Sequence, residues 1–543
     1  MRLKRVMSFA LAAAMVAGLT ACGGASNEKT ETADVKDTAA KEKSEADSGQ
    51  PDSDAPLEFI CRLRDGEYSP AEIQLYQELE QETGVKINWT TYADSAWVEK
   101  KSLLFASNQL PEAFFGQEIL SNDDLLKYGP EGMLIPLESY ITEENTPNLY
   151  KIFQDYPEYK RSITAPDGHI YSLMSFDDGY VTTTNLPLFI NKDWLENVNM
   201  NVPATTDEFY EVLKAFKEQD ANGNGDPDDE IPYSFNKDTN YASDLFGSFG
   251  MIDDTRIDSG KAHIAVKDGK VIYTAVGEAY KNAIKYFHKL YSEGLIDQEA
   301  FTQDNSVFKA KCKNENRTVG VLQGWRSTAW STSNEDDSYV PVPPLAGPGG
   351  DRYWPELQNG VNGLGSFAIT NVARDPEYIM RWVDHCYDPL FSIQASLALK
   401  VGLHLKEDGN GKYGYAEAPT PENRAKVVPG GYDRIYSVTK EAATLLKGAP
   451  SHMIEKQALD AYYSDFYYPE YYPKFMLSTE ESDRLSTLAT EINSFANEKY
   501  AAWMTGGGID EEWDSYLKQM NAMGLPELLE IYQGALDRYD AEK

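Results

Sequence analysis

The chain has 543 residues and sets 87 Asp and Glu against 50 Lys and Arg, a formal charge of −37. Such an acidic surface repels nucleic acid and polyanionic substrates through its long-range field, and leaves neutral ligands open. After Cys22 only Cys61, Cys312 and Cys386 remain; they are far apart, form no disulfide framework or metal spacing, and read as buried free thiols.

In chain order, "MRLKRVMSFALAAAMVAGLTACGG" opens with Arg2, Lys4 and Arg5, an apolar run from Val6 to Ala21 and small residues before Cys22. That is the layout of an export signal over 1–21, not of a structural helix. "LTAC" resembles the bacterial lipobox, which implies cleavage before Cys22, a lipidated thiol and an acylated N-terminus, and several acyl chains hold a protein firmly at a membrane. A plain secretory signal is the alternative. Residues 22–55 lack aromatics and carry one Val among Ala, Ser, Thr, Gly and charges. They cannot bury enough surface to fold and read as a flexible tether. The remainder is rich in Tyr, Trp and Phe, has no second apolar run able to span a bilayer, and is long enough for at least two lobes.

"LEFICRLR" alternates like a strand, and the following segment places Ile73, Tyr76 and Leu79 on one helical face before Gly84 stops the helix. Val85, Ile87 and Trp89 alternate as a second strand, so the unit is strand-helix-strand, the start of an α/β lobe. A further helix, a turn at Pro111 and a short strand ending at Gly116 follow. In "TTDEFYEVLKAFKEQD", Thr205 and Glu208 have capping-box spacing, and Phe209, Val212, Leu213 and Phe216 form a buried stripe. A similar helix puts Tyr280, Ala283, Ile284 and Phe287 on one face and stops at Gly294. "TVGVLQGW" and "GSFAITNVA" read as short strands, and from about residue 436 the pattern is mostly helical.

"DANGNGDPDDE" (220–230) alternates oxygen-bearing side chains. A hard cation such as Ca²⁺ takes six to eight oxygens, and Asp220, Asn222, Asn224 and Gly225 match positions one, three, five and six of the EF-hand pattern. The match ends there: position twelve is Ile231, and "IPYSF" reads as a strand. The expectation is therefore a calcium loop between helix and strand, with Asp226 contributing its carbonyl, Asp229 and Glu230 closing the shell, and Asp228 as a spare. An ion-free Asn/Gly turn is the alternative; the crowded acids repel one another there, and a divalent ion removes that repulsion.

"TGVKINWTTY", "ASNQLPEAFFG", "LIPLESYI", "APDGHIYSL", "LFINKDWL", "KLYSEGLID", "GVLQGW" and "LLEIYQGALDRY" together resemble extracellular solute-binding lipoproteins (family 1 type) of bacterial carbohydrate ABC importers, alginate-oligosaccharide and maltose-type binders among them. The resemblance spans almost the whole mature chain. It implies an α/β, two-lobed periplasmic-binding-protein fold (type II), with lobes joined by hinge crossovers and a helical C-terminal region. The expected N-terminal lobe is 56–182 with 362–420, and the C-terminal lobe 183–361 with 421–543. Relatives carry a calcium loop of the form "DxNxNGxxDEIP", with one residue inserted here before the final acids. "TVGVLQGWRSTAW" resembles the segment that puts a tryptophan under a sugar ring, which makes Trp325 the first ligand candidate. Sugars present an apolar C–H face and a belt of hydroxyls, so aromatic plates and fixed polar partners suit them. Tyr180, Tyr241 and Trp354 sit in polar loops and join it. The polar candidates are Arg64 and Asp65 after the first strand, Gln117 after "AFFG", Asp178 before Tyr180, and Arg326 beside Trp325.

The expected function is a lipid-anchored, non-enzymatic monomer on the outer face of the cytoplasmic membrane. It captures a saccharide in the cleft and hands it to ABC permease subunits, with Ca²⁺ as a structural ion. The competing readings are a secreted glycan hydrolase or lyase and a surface glycan-binding lipoprotein without import. A hydrolase needs two carboxylates flanking one bond, and no nucleophile elbow or HExxH isolates a catalytic site.

Overall fold

The strand-helix-strand opening forms as its pattern dictates. Leu57–Leu63 and Ile87–Ala93 pair in parallel, Leu57 opposite Ile87 and Leu63 opposite Ala93, joined by the helix Gln74–Thr83, which buries Leu75, Tyr76 and Leu79 and ends on Gly84 in the left-handed region at φ 72°. The computed structural model describes residues 55–541 except 180–185, 238–240, 253–262, 315, 331–337, 356–360, 449–450 and 469.

Two sheets organise these residues. The first has six strands in the order Ser437–Val438, Leu173–Asp177, Val361–Ile369, Ala113–Phe115, Leu57–Leu63, Ile87–Ala93. Val361–Ile369 is antiparallel to both neighbours, and the other pairings are parallel. Its core centres on Phe59, whose ring meets Trp89 and Trp382 edge-on at 5.4 Å each. The second sheet runs Tyr339–Pro341, Leu188–Asn191, Val319–Gln323, Ile231–Tyr233, with Leu188–Asn191 antiparallel to its neighbours and Val319–Gln323 parallel to Ile231–Tyr233. The helices Thr206–Glu218 and Glu278–Ser292 pack their expected stripes, Phe209, Val212, Leu213 and Phe216, and Tyr280, Ala283, Ile284 and Phe287, into one core with the C-terminal helices. Thr205 caps the first of these, its hydroxyl accepting from the Glu208 N–H at 3.1 Å.

One boundary differs from expectation. Residues 421–447 were expected with the second lobe, yet Ser437 and Val438 pair with Phe176 and Asp177 in the first sheet, and Ile435, Tyr436, Val438, Ala442 and Leu446 belong to the first core. A strand of two residues leaves no periodicity to read, whereas the helices Thr479–Gly506, Ile509–Ala522 and Leu525–Ala541 do follow the helical pattern. Cys61, Cys312 and Cys386 are buried and unbridged, and burial pushes all three thiols up.

The strand directions position the site. In the first sheet every strand but Val361–Ile369 points its carboxyl end to one edge, and that strand begins there. In the second sheet Val319–Gln323, Ile231–Tyr233 and Tyr339–Pro341 end at one edge, where Leu188–Asn191 begins. The chain passes from Asp177 to Leu188, from Pro341 to Val361 and onward from Val438, so each passage leaves one sheet at its carboxyl edge. From Asp177 to Leu188 the chain spans at most about 40 Å. The carboxyl edges are thus tethered to each other, and in open α/β sheets ligands bind outside those strand ends.

Candidate functional site

At the first edge the strand Leu57–Leu63 runs out into Arg64. Two guanidinium groups lie over the Tyr432 ring, that of Arg62 4.1 Å and that of Arg64 3.8 Å from its centroid. Such stacking orients both cations and covers a flat ring. Arg62 is braced in turn: Nη1 pairs with Asp94 at 3.2 Å and Nη2 donates to the Gln117 carbonyl at 2.9 Å. The Gln117 N–H donates to the Tyr432 carbonyl at 2.9 Å, and Glu67 accepts from the N–H groups of Arg64 and Tyr432 at 2.8 and 3.2 Å. Gly116 permits this approach, because its φ is 128° and a Cβ there would stand 2.5 Å from the Tyr432 carbonyl oxygen.

Beside the stack, Asp433 is fully buried. Its Oδ1 accepts from the N–H groups of Gly430 and Gly431, both at 2.9 Å, and its Oδ2 has no partner. Burial pushes this carboxyl up to about 6. A cavity of about 430 Å³ opens at the same edge, lined by Arg62, Glu118, Leu120, Gly363, Leu364 and Lys474. Arg64 and Gln117, expected from sequence, are brought together here, and Asp65 is exposed on the adjoining turn. Asp178 lies at the same edge beyond the strand Val361–Ile369. Its Oδ1 accepts from the Lys440 N–H at 3.1 Å, and burial holds its carboxyl above the usual range against the opposing pull of Lys440. Arg62, Tyr432 and Asp433 were not among the expected residues; Arg62 lies inside the strand "LEFICRLR", and the signal for the other two was "PGGYDR", a glycine pair set before an aromatic and two charges.

At the second edge Val319–Gln323 ends on buried Gln323, whose Oε1 accepts from the Tyr233 hydroxyl at 3.1 Å. Gly324 turns the chain, and Trp325 emerges 40% exposed, with half-buried Arg326 beside it. Trp354 is a correction. It is 2% exposed and packs edge-on against Tyr463 at 4.9 Å, so it belongs to the second core and offers no ring face to a ligand; the polar residues flanking it in sequence hid the apolar surroundings supplied by the helix Ser451–Tyr463. Tyr180 and the side chain of Tyr241 lie outside the described residues.

The loop 220–230 joins the helix Thr206–Glu218 to the strand Ile231–Tyr233, at the end of that strand away from the carboxyl edge. Asp220 Oδ2 accepts from the Gly225 N–H at 2.9 Å. The amides of Asn222 and Asn224 donate to the two oxygens of Asp229 at 2.7 and 2.8 Å, and the Asn222 N–H donates to Glu230 at 3.3 Å. Asp226 and Asp228 are exposed. Asp220 Oδ1 and Glu230 Oε2 are buried without a partner, and burial, then Asp229 and Asp220, hold the Glu230 carboxyl up. Among the described residues no three His, Cys, Asp or Glu side chains already converge on one metal position, since the asparagine amides stand among the acids. The donors are nonetheless all hard oxygens around two orphaned carboxylate atoms, a set that fits Ca²⁺.

A two-lobed α/β fold with polar groups at one tethered carboxyl edge and an aromatic at the other suits a ligand-capturing protein, and the family follows. Residues 64–389 match the bacterial extracellular solute-binding proteins, and the chain belongs to that family. It is 34% identical over 508 residues to the fructooligosaccharide ABC transporter substrate-binding protein FusA of Streptococcus pneumoniae, covering 87% of this chain and 88% of that one. The structure of FusA in complex with kestose superposes with a TM-score of 0.72 at 31% identity, over 90% of this chain and all of that one; an EF-hand mutant of FusA with fructo-nystose gives 0.71 at 30%, with the same coverage. An extracellular solute-binding protein from Bifidobacterium longum subsp. infantis gives 0.78 at 26% identity, over 91% of this chain and 100% of that one. Lipoprotein LipO of Bacillus subtilis is 26% identical over 345 residues, 61% of this chain and 64% of its own.

Proposed function

We propose that the protein is the lipid-anchored receptor of a carbohydrate ABC importer, capturing an oligosaccharide between the two carboxyl edges and handing it unaltered to the permease. The observation that carries this reading is the pairing of unlike edges: the guanidinium-tyrosine stack with the Gln117 backbone on one, exposed Trp325 on the other. An aromatic plate takes a sugar's C–H face, and fixed polar groups take its hydroxyls. A ligand drives closure only through contacts made in the closed state that the open state lacks, and residues split between two lobes supply them. On this reading 55–179 with 361–447 form one lobe, and 186–355 with 451–541 the other. Arg64, Gln117, Asp178 and Arg326 are contact residues, with Asp65 at the rim.

The similarity to FusA supports an oligosaccharide as the ligand. "LTAC" before Cys22 and the likeness to LipO support an acylated anchor on the outer face of the membrane, and among the described residues no helix is long and apolar enough to cross a membrane. Ca²⁺ would be held by Asp220, Asn222, Asn224, the Asp226 carbonyl, Asp229 and Glu230, as a staple between helix and strand; the likeness to a protein with an EF-hand supports it. The loop lies away from the carboxyl edge, so the ion has no direct part in the ligand.

Thermal shift over mono- and oligosaccharides, kestose and oligogalacturonides included, followed by calorimetry, tests the assignment. At least one oligosaccharide is expected to bind tightly and to be recovered intact, with no new reducing ends. Absence of binding across the panel overturns the saccharide reading, and new reducing ends overturn the non-enzymatic one.

A further inference from the structure

We propose that Lys456 is a positioning residue for Trp325: reaching from the helix Ser451–Tyr463, it caps one face of the indole, so that the ring offers a single fixed face to a neutral or anionic sugar ring and disfavours a cationic one. The inference rests on the saccharide-binding reading for its consequence, though not for its geometry.

Lys456 Nζ stands 3.9 Å from the Trp325 ring centroid, while the indole stays 40% exposed. The preceding residue of the helix holds the same turn. One oxygen of Glu455 accepts from both the N–H and the hydroxyl of Ser327, at 2.7 and 2.6 Å. Trp330 closes the turn from the other side: its Nε1 donates to the Gln323 carbonyl at 2.7 Å, and its ring packs edge-on against Phe308 at 5.1 Å. Gly324 admits this arrangement, since a Cβ there would lie 2.7 Å from the Trp330 Nε1. The turn is thus tied to one strand and to the helices Asn305–Cys312 and Ser451–Tyr463, and Trp325 is presented preformed. Preformed contacts lose less entropy on binding.

Lys456 itself is fully buried, on a helix that also sends Leu459 and Tyr463 into the core. A buried ammonium is costly, and here part of that cost is offset by the negative face of the indole. Asp460 and Glu455, on its own helix, pull the amine up; burial outweighs them and holds it down at about 8. At neutral pH the group is therefore charged. A cation on one face withdraws electron density from the other, which makes the free face a poor partner for a second cation; what a neutral ring gains is the fixed orientation of the plate, which outweighs the weaker pull on its C–H groups.

The test uses the protein labelled with fluorotryptophan and observed by fluorine NMR. The Trp325 resonance, identified by its loss in Trp325→Phe, is expected to shift with a midpoint near pH 8, to stay still over the same range in Lys456→Met, and to hold its low-pH position throughout in Lys456→Arg. No shift in the wild type, or the same shift in Lys456→Met, overturns the proposal. Should Lys456→Met fail to fold, the wild type against Lys456→Arg decides in the same way. With kestose as the probe, Lys456→Met is expected to bind about tenfold more weakly at pH 7 and Lys456→Arg to restore binding, while the wild type weakens as pH rises through about 8. If the resonance behaves as described and the wild type does not bind kestose, that ligand falls and the positioning role stands; if kestose binds equally to all three proteins, the positioning role falls alone.

Discussion

On the proposed reading the two carboxyl edges solve one problem by different means. At the first, the candidate contact groups are polar, half or fully buried, and fixed by backbone hydrogen bonds: Arg62, Gln117, Tyr432 and Asp433 each lean on a main-chain N–H or carbonyl. At the second, the candidate contact group is an exposed indole set by side chains of a neighbouring helix. The difference teaches where specificity resides. Buried polar groups with unmet hydrogen bonds reject a guest that cannot satisfy them, whereas an exposed plate accepts any ring of the right shape.

The largest expected effect sharpens the contrast between the second edge and its own interior. Trp354→Ala should cost about 3–5 kcal/mol of stability, because a large ring is deleted from a closed core, and denaturant unfolding should show it while the ligand affinity of the folded fraction stays near wild type. Next comes the end of the second lobe away from its carboxyl edge. Ca²⁺ at a hundred times its dissociation constant should stabilise the protein by about 2.7 kcal/mol, with melting temperature as the readout. Asp229→Asn should abolish that response and leave ligand affinity unchanged; a ligand affinity that fell with chelation would show that the two ends are not independent.

A smaller effect belongs to the first edge. The Asp433 carboxyl sits at about 6, raised from 3.8 by burial. Its contribution to stability is therefore fully present below pH 3.8 and lost as pH rises through about 6, a change of about 2–3 kcal/mol. Asp433→Asn should flatten the stability profile across that window, and an unchanged profile would remove Asp433 from the account.

Much of this organisation was legible in the sequence. The strand-helix-strand start, the buried stripes of the helices Thr206–Glu218 and Glu278–Ser292, and a helix-loop-strand setting for 220–230 all follow from periodicity, caps and glycine stops. Arg64 and Gln117 were legible as residues following strands. What stayed hidden depended on partners remote in sequence. Ser437–Val438 is a strand only because Phe176–Asp177 receives it, Trp354 is core only because Tyr463 covers it, and Lys456 looks like one more helix cation until Trp325 is seen on it. A strand end and a Gly turn marked Trp325, and polar flanks marked Trp354; burial separates them, because Trp325 stays exposed just past its strand while Trp354 is covered by the second core.

The central claim is that one guest is gripped by both edges at once, and calorimetric titration of a bound oligosaccharide with Trp325→Ala and Arg64→Ala tests it most directly. The account predicts that each substitution weakens binding, by about 2 kcal/mol for the indole and about 1 kcal/mol for the exposed guanidinium, with melting temperatures unchanged in the absence of ligand. Affinity that is lost with one substitution and untouched by the other would mean that the ligand rests on a single lobe.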